Sequence, residues 1–353
     1  DISRVGLLMG GYDFSDNERS QVIKTMETCD IQACPGSGKT SALVAKLLIL
    51  SRLLPNKQTG ICVLSHTNAA REEITKHLAK YGANLLQYPH FIGTIQQFVD
   101  QFIAIPAMIK KFDRRPSVID DDVFYAVAKG YYQRTRTLQY ALDRRRNANE
   151  ILYGLRFGFE DVDNICVYVN GKEENLPFGT TASSYKEALT LKLQITHEGY
   201  IGFHDAFSLA NWYLKLYPQL THFISSRFPF VFIDEMQDTD SFQSEIINKV
   251  FLNHLCVVQR LGDSNQTIYS GRSDNSEAGW QPNNPLPINH SYRLSPSIAS
   301  LTQNICQKPQ NLTGYDKRTD RNHTIFLFED SQIHKVLPAF AETIIDEGIS
   351  EGK

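Results

Sequence analysis

Apolar positions along the first hundred residues alternate between two rhythms. SQVIKTMETCDIQA (20–33) passes from helical spacing into a short apolar run, and TSALVAKLLILSRLL (40–54) returns to helical spacing. The pattern predicts helix, strand, tight turn, helix. TGICVLSHT (59–67) predicts a second buried strand, followed by a helix over NAAREEITKHLAKYG that closes on Gly82. Further on, FPFVFIDE (228–235) and HLCVVQRLGD (254–263) are near-continuous apolar runs that end in acids. Apolar strands with polar C-terminal ends, alternating with helices, predict an α/β fold whose parallel sheet carries ligands at those ends.

Between about 105 and 200 the rhythm breaks. KKFDRRP, YYQRTRTLQYALDRRRN and VNGKEENLPFGTTASSYKEA interrupt it, and it resumes at YIGFHDAFSLANWYLK. This stretch is expected to be an inserted subdomain, largely helical at first. Its Arg144-Arg145-Arg146 run is expected to be a solvated helix face, with a phosphate-backbone contact as the alternative. After residue 300, TIFLFED predicts one more strand and IHKVLPAFAETIIDEG a helix. No internal repeat or low-complexity tract interrupts the chain.

Composition narrows the class. The chain has 353 residues, 42% of them hydrophobic, which suits two or three globular domains. The formal charge of -3 neither supports nor excludes a polyanionic partner. Six scattered cysteines (Cys29, Cys34, Cys62, Cys166, Cys256, Cys306) include no CxxC pair, so neither a disulfide framework nor a structural zinc is expected. No run approaches the roughly 18 apolar residues of a membrane span. The N-terminus lacks a secretory pattern. The expectation is a cytoplasmic protein with no membrane partner.

ACPGSGKT (33–40) carries the first chemistry. A strand, this loop and a helix match G-x-x-x-x-G-K-[ST] with Ala33 in the leading place. Across Ala33, Cys34, Pro35, Gly36, Ser37 and Gly38 the glycines let backbone N–H groups converge on phosphate oxygens. Lys39 would reach the β and γ phosphates, and the Thr40 hydroxyl would ligate Mg2+. Asp234-Glu235 ends an apolar strand, where one carboxylate suits a water-mediated hold on the metal and the other suits proton acceptance from the attacking water. Loop and acid pair are expected on adjoining parallel strands. A plain kinase or GTPase is disfavoured, since no guanine-reading NKxD appears.

These motifs and four others resemble, in order and approximate spacing, the UvrD/Rep-type superfamily 1 helicases. LSHTNAAREEI (64–74) is similar to TFTNKAAxEM, GTIQQF (93–98) to GTFHSF, and FIDEMQDT (232–239) to DExQDT. GDSNQTIYSGR (262–272) is similar to GDDDQSIYSFR, and NHSYRLSPSI (289–298) to QNYRSTPxI. The resemblance implies a RecA-like P-loop NTPase and an ATP- and Mg2+-dependent motor that moves 3′ to 5′ on single-stranded DNA, or on a duplex with a single-stranded tail. It implies γ-phosphate roles for Gln266 and Arg293, a place beside adenine for Tyr292, and Gln21 as the candidate adenine-reading glutamine. Ser41 replaces a frequent arginine that packs on the adenine. Thr67, Asn68, Gly93 and Thr94 fall where the family contacts DNA. His66 there replaces a frequent Phe, Ala69 a Lys, Ile95-Gln96 a Phe-His, and Gly271 a stacking aromatic, while Tyr269 remains. This thinning motivates an alternative, a helicase-like sensor subunit that binds a nuclease or another effector in antiviral defence. The implied domains are 1–104 and 200–312 for the two parts of the ATP-binding domain, 105–199 for the insertion, and 313–353 for the start of a second RecA-like domain whose remainder this sequence does not include.

Overall fold

The computed structural model describes residues 2–54, 58–81, 84–169, 176–252, 256–266, 280–306, 308, 310–316, 324–346 and 348. The strands are β1 (Cys29–Ala33), β2 (Ile61–Ser65), β3 (Phe91–Thr94), β4 (Val118–Ile119), β5 (Leu155–Phe159), β6 (Ile165–Val169), β7 (Tyr200–Ile201), β8 (Phe230–Ile233), β9 (Val257–Gly262) and β10 (Leu286–Ile288). Six of them form one parallel sheet in the order β10-β1-β9-β8-β2-β3. This is the α/β, RecA-like arrangement expected. The strands of the phosphate loop and the acid pair are not adjoining, however, because β9 pairs with both and lies between them.

β2 is buried at all five positions, as a strand covered on both faces must be. Ile61 and Val63 join Ile31, Phe232 and Leu261 beneath helices Lys39–Leu53 and Asn68–Lys80. Cys62 and Leu64 face the other way, with Val231, Ile233 and Val258. Each Leu or Phe fully buried in these layers contributes about 1.5–3 kcal/mol. The second layer runs without a break through Phe98, Phe124 and Phe157 into segment 105–199. Helix Ile95–Val99 continues through a π-helical turn, Asp100–Ala104, into helix Ile105–Phe112. Beyond it β4 pairs with β7 and clamps the start and end of the segment together.

Within 105–199 helices Asp121–Tyr132, Thr137–Leu142, Ala148–Tyr153 and Ser183–His197 enclose the antiparallel pair β5–β6. Arg144, Arg145 and Arg146 are exposed in the turn between Leu142 and Ala148, not on a helix face. A fully buried ion pair ties the segment to helix Phe203–Leu216: Lys192 Nζ lies 2.6 Å from Asp205 Oδ2. Asp205 also accepts from the Gly202 and Phe157 amides, so the buried carboxylate is compensated. Burial lowers the Lys192 pKa to about 8 despite Asp205.

Asp100 offers a pH test of this region. Burial pushes its carboxyl from 3.8 to about 7, against one hydrogen bond from Gln96 Nε2 at 2.8 Å. With the folded pKa above the unfolded one, the group's contribution is fully present below about pH 4 and is lost as pH rises through 7. Asp100→Asn is therefore expected to stabilise the protein at pH 8 by about 1–3 kcal/mol and to change little at pH 4. Urea unfolding at the two pH values checks this; an equal effect at both would assign the change to packing.

Residues 324–329 do not form the strand expected of TIFLFED. A strand needs a neighbour for its N–H and C=O groups, and none of the described residues pairs with this segment, where Ile325 and Leu327 are 81% and 93% exposed. All six cysteines are free. No helix among the described residues is long and apolar enough to cross a membrane.

Candidate functional site

β1 ends at Ala33, and Cys34–Gly38 turn back into helix Lys39–Leu53. The turn needs its glycines. Gly36 (φ 72°) and Gly38 (φ 77°) are left-handed, and a Cβ on Gly36 would stand 2.4 Å from the Arg293 Cβ. That approach is fixed by Tyr292 N donating to Gly36 O at 2.9 Å and Ser291 Oγ donating to Pro35 O at 2.6 Å. The SYR segment is thereby fastened to the loop from 256 residues away. Beside the loop opens a cavity of about 800 Å3, lined by Ala33–Ser41, Glu235, Asp263, Gln266, Tyr292 and Arg293, with Tyr12, Asp13, Arg19, Glu73 and Tyr315 completing its wall.

Lys39 joins the two motifs. Its Nζ lies 3.1 Å from Asp234 Oδ1 and 2.8 Å from Glu235 Oε1. Burial alone would lower the Lys39 pKa, but the two carboxylates outweigh it and raise the value. Asp234, almost completely buried, is raised, since desolvation and Glu235 together exceed the help of Lys39. Glu235 also feels burial, but Lys39 and Gln237 prevail and hold it below its ordinary value. One cation thus serves two carboxyl groups.

β9 adds a third element because it runs between β1 and β8. Gln237 Nε2 donates to Glu235 Oε2 at 2.5 Å, and Gln237 Oε1 accepts from the Asp263 amide at 3.0 Å. Gln266 Nε2 in turn donates to Asp263 Oδ2 at 2.9 Å. The predicted Gln266 therefore reaches the cavity through a chain from Glu235 that sequence reading did not resolve; its signal was the Gln directly after DEM. Arg293 is exposed on the cavity wall and has no ion-pair partner among the described residues.

Other candidates fall elsewhere. Gln21 is exposed and lies outside the cavity wall; two residues along helix Asn17–Lys24 from buried Arg19, it projects from nearly the opposite side. Thr67 and Asn68 are exposed after β2, where Thr67 Oγ1 accepts from Ala70 N, and His66 beside them is half-buried. Gly93 and Thr94 are buried at the parallel end of β3, paired with Leu64 and Ser65. Thr94 Oγ1 caps the next helix by accepting from Gln97 N, and a Cβ on Gly93 would meet the Phe91 ring at 2.7 Å. Both therefore have local structural duties. Asp234 N donates to Leu64 O at 2.8 Å, which ties the acid pair to the end of β2. Tyr269 and Gly271 lie outside the described residues.

The residues fit a magnesium nucleotide. Ser37 is buried in the loop on the cavity wall, its side chain beside only the weakly accepting Cys34 thiol, which leaves a hydroxyl suited to a stronger oxygen acceptor such as phosphate. No group of three or more His, Cys, Asp or Glu among the described residues could hold a metal alone. Magnesium in nucleotide sites needs only one or two side chains besides the phosphates, and Thr40 and Asp234 could supply them.

A parallel sheet with this loop, and with an acid pair two strands away, defines a P-loop nucleotide-binding domain of RecA-like type. Within that class the chain belongs to the UvrD/REP helicase family, whose N-terminal domain matches residues 14–278. It is 24% identical over 303 residues to a probable DNA helicase II homolog of Mycoplasma capricolum, covering 82% of this chain and 40% of that protein. It is 22% identical over 356 residues to the ATP-dependent DNA helicase PcrA of Staphylococcus aureus, covering 91% and 46%. A probable DNA helicase II homolog of Rickettsia felis is 21% identical over 326 residues, covering 88% and 47%. The chain spans less than half the length of these relatives.

Proposed function

We propose that the full-length protein is an ATP-dependent DNA helicase or translocase. It moves 3′ to 5′ along a single strand, or from a single-stranded tail into a duplex, and serves DNA repair, recombination or defence in the cytoplasm. The observation that carries this reading is Lys39 held between Asp234 and Glu235 in the cavity of a UvrD/REP-family domain. On binding, Lys39 turns from the carboxylates to the β and γ phosphates, and the loop amides and Ser37 take the remaining oxygens. Thr40 and Asp234 would hold a Mg2+ ion, which would supply charge neutralisation on the phosphates. Glu235 accepts the proton of the attacking water, Gln266 orients that water from β9, and Arg293 stabilises charge on the transferring phosphoryl group. His66, Thr67 and Asn68 after β2, Gly93 and Thr94 on β3, and Tyr269 contact the strand; residues 105–199 form an accessory subdomain between the two parts of the ATP-binding domain.

The test is ATP turnover of the full-length protein with and without a single-stranded oligonucleotide. Stimulation of at least about tenfold is expected, since strand contacts complete the productive state. Turnover indifferent to the oligonucleotide, together with nucleotide-dependent capture of a nuclease, would replace the motor with the sensor-subunit alternative.

A further inference from the structure

The turn after β9 has two sides. Gln266 lines the nucleotide cavity, and its neighbour Asn265 does not. Asp263 holds both on one carboxyl group: Oδ1 accepts from the Asn265 amide at 3.0 Å and Oδ2 from Gln266 Nε2 at 2.9 Å. The Asn265 side chain reaches the other way, to the chain that follows helix Pro296–Ile305. Its Oδ1 accepts from Lys308 N at 2.9 Å, and its Nδ2 donates to Lys308 O at 3.2 Å and to Gln310 Oε1 at 3.3 Å. One carboxamide thus satisfies the N–H and the C=O of a single residue, as a neighbouring strand would. Lys308 Nζ adds a bond to Trp280 O at 3.3 Å.

Beyond Gln310 the chain returns to the phosphate loop. Leu312 is buried in one cluster with Cys34 and Ala299. Thr313 N donates to Asn289 O at 3.0 Å, Ser291 N donates to Thr313 O at 2.8 Å, and Tyr315 N donates to Leu294 O at 2.8 Å. One end of this stretch is therefore fastened by backbone bonds beside Tyr292, while the other depends on the Asn265 side chain. The chemistry at that position is specific. The GDDDQ motif that GDSNQ resembles has an acid where this chain has Asn265. A carboxylate could accept from Lys308 N, but it has no hydrogen for Lys308 O or Gln310 Oε1 and would set a charge against both oxygens. The position is also next to a bond that must change. When Gln266 turns to a γ-phosphate, Asp263 Oδ2 loses its donor, and the Asn265 amide on Oδ1 carries that change to the outer side of the turn.

We infer that Asn265 is a positioning residue, which couples nucleotide occupancy at Gln266 to the chain at Lys308 and Gln310 through its paired hydrogen bonds. This rests on the nucleotide-binding reading above. The experiment is amide hydrogen exchange of peptides covering residues 306–316 in the full-length protein, with and without a non-hydrolysable ATP analogue. It compares the wild type with Asn265→Asp and with Asn265→Ala, the last removing the bonds without adding a charge. Saturating analogue is expected to change exchange there at least about threefold in the wild type and less than about 1.5-fold in both variants, while affinity for the analogue stays within about threefold. Where Asn265→Asp does not fold, Asn265→Ala alone decides. A wild-type peptide indifferent to bound analogue, or variants that keep the response, would overturn the inference and leave the nucleotide reading standing. Loss of the fold, or an affinity loss above about tenfold, in Asn265→Ala would make Asn265 a structural support of the site and also overturn it. A wild-type protein that binds no analogue would instead sink the nucleotide reading itself.

Discussion

Glu235→Gln is expected to lower ATP turnover by roughly a hundred- to ten-thousand-fold while ATP affinity stays within a few-fold of wild type. Two carboxylates share Lys39, and the Asp234 side chain is 3% exposed against 31% for Glu235, so Glu235 is the one more open to a water in the cavity. Glu235 is also the one held ionised, by Lys39 and Gln237 against its burial, so it can take a proton at neutral pH. Gln keeps the size of the side chain and an oxygen for Lys39, and loses the basicity. The backbone supports a functional rather than a structural role. Glu235 is left-handed at φ 55°, a conformation that costs a residue with a Cβ about 1–2 kcal/mol. Gln carries the same cost, so the unfolding midpoint should hardly move. Phosphate release and nucleotide titration read the two quantities; a turnover loss below tenfold would remove Glu235 from proton transfer.

Lys39→Ala is expected to act on binding and on stability together. Losing a charged contact to the phosphates weakens ATP binding by roughly ten- to a hundredfold. It also leaves Asp234 and Glu235 side by side with no cation. Asp234 is already raised by burial, and without Lys39 it rises further. A carboxyl with a raised folded pKa contributes stability only while protonated, so the variant should fall below wild type as pH rises from 5 to 8 and approach it again in acid. Lys39→Ala/Asp234→Asn should recover the stability at pH 8 and none of the binding. Melting curves at the two pH values separate these effects. A pH-independent loss would mean that Lys39 supports the loop by packing instead of charge.

The legible parts of the fold were those in which one local pattern dictates one outcome. β1, β2, β8 and β9 read as strands because both of their faces are covered, and helices Lys39–Leu53 and Asn68–Lys80 read from their apolar spacing. β10 was not legible. It has three residues with Pro287 in the middle, and a strand that pairs only with β1 at the sheet edge tolerates the missing N–H. The β5–β6 pair was hidden inside a stretch read as helical, because pairing is a property of two segments and helix spacing of one. The phosphate loop and the acids were legible as contiguous motifs. Arg19 against Tyr292 was not, since they lie 273 residues apart and meet only when β10 seats the SYR segment on the loop. Strand order escaped for the same reason, and with it the place of Asp263 between the two motifs.

The bond from Asp234 N to Leu64 O has a mechanical meaning. It joins the residue proposed to hold the metal to the strand whose next residues, His66 to Asn68, are proposed to grip DNA. A single backbone hydrogen bond is a stiff, short-range link, and it needs no lever arm, hinge or relay of side chains. The bond therefore couples the position of the β8 end to that of the β2 end. The proposed metal site and the proposed DNA-contacting residues are thus only one strand pair apart.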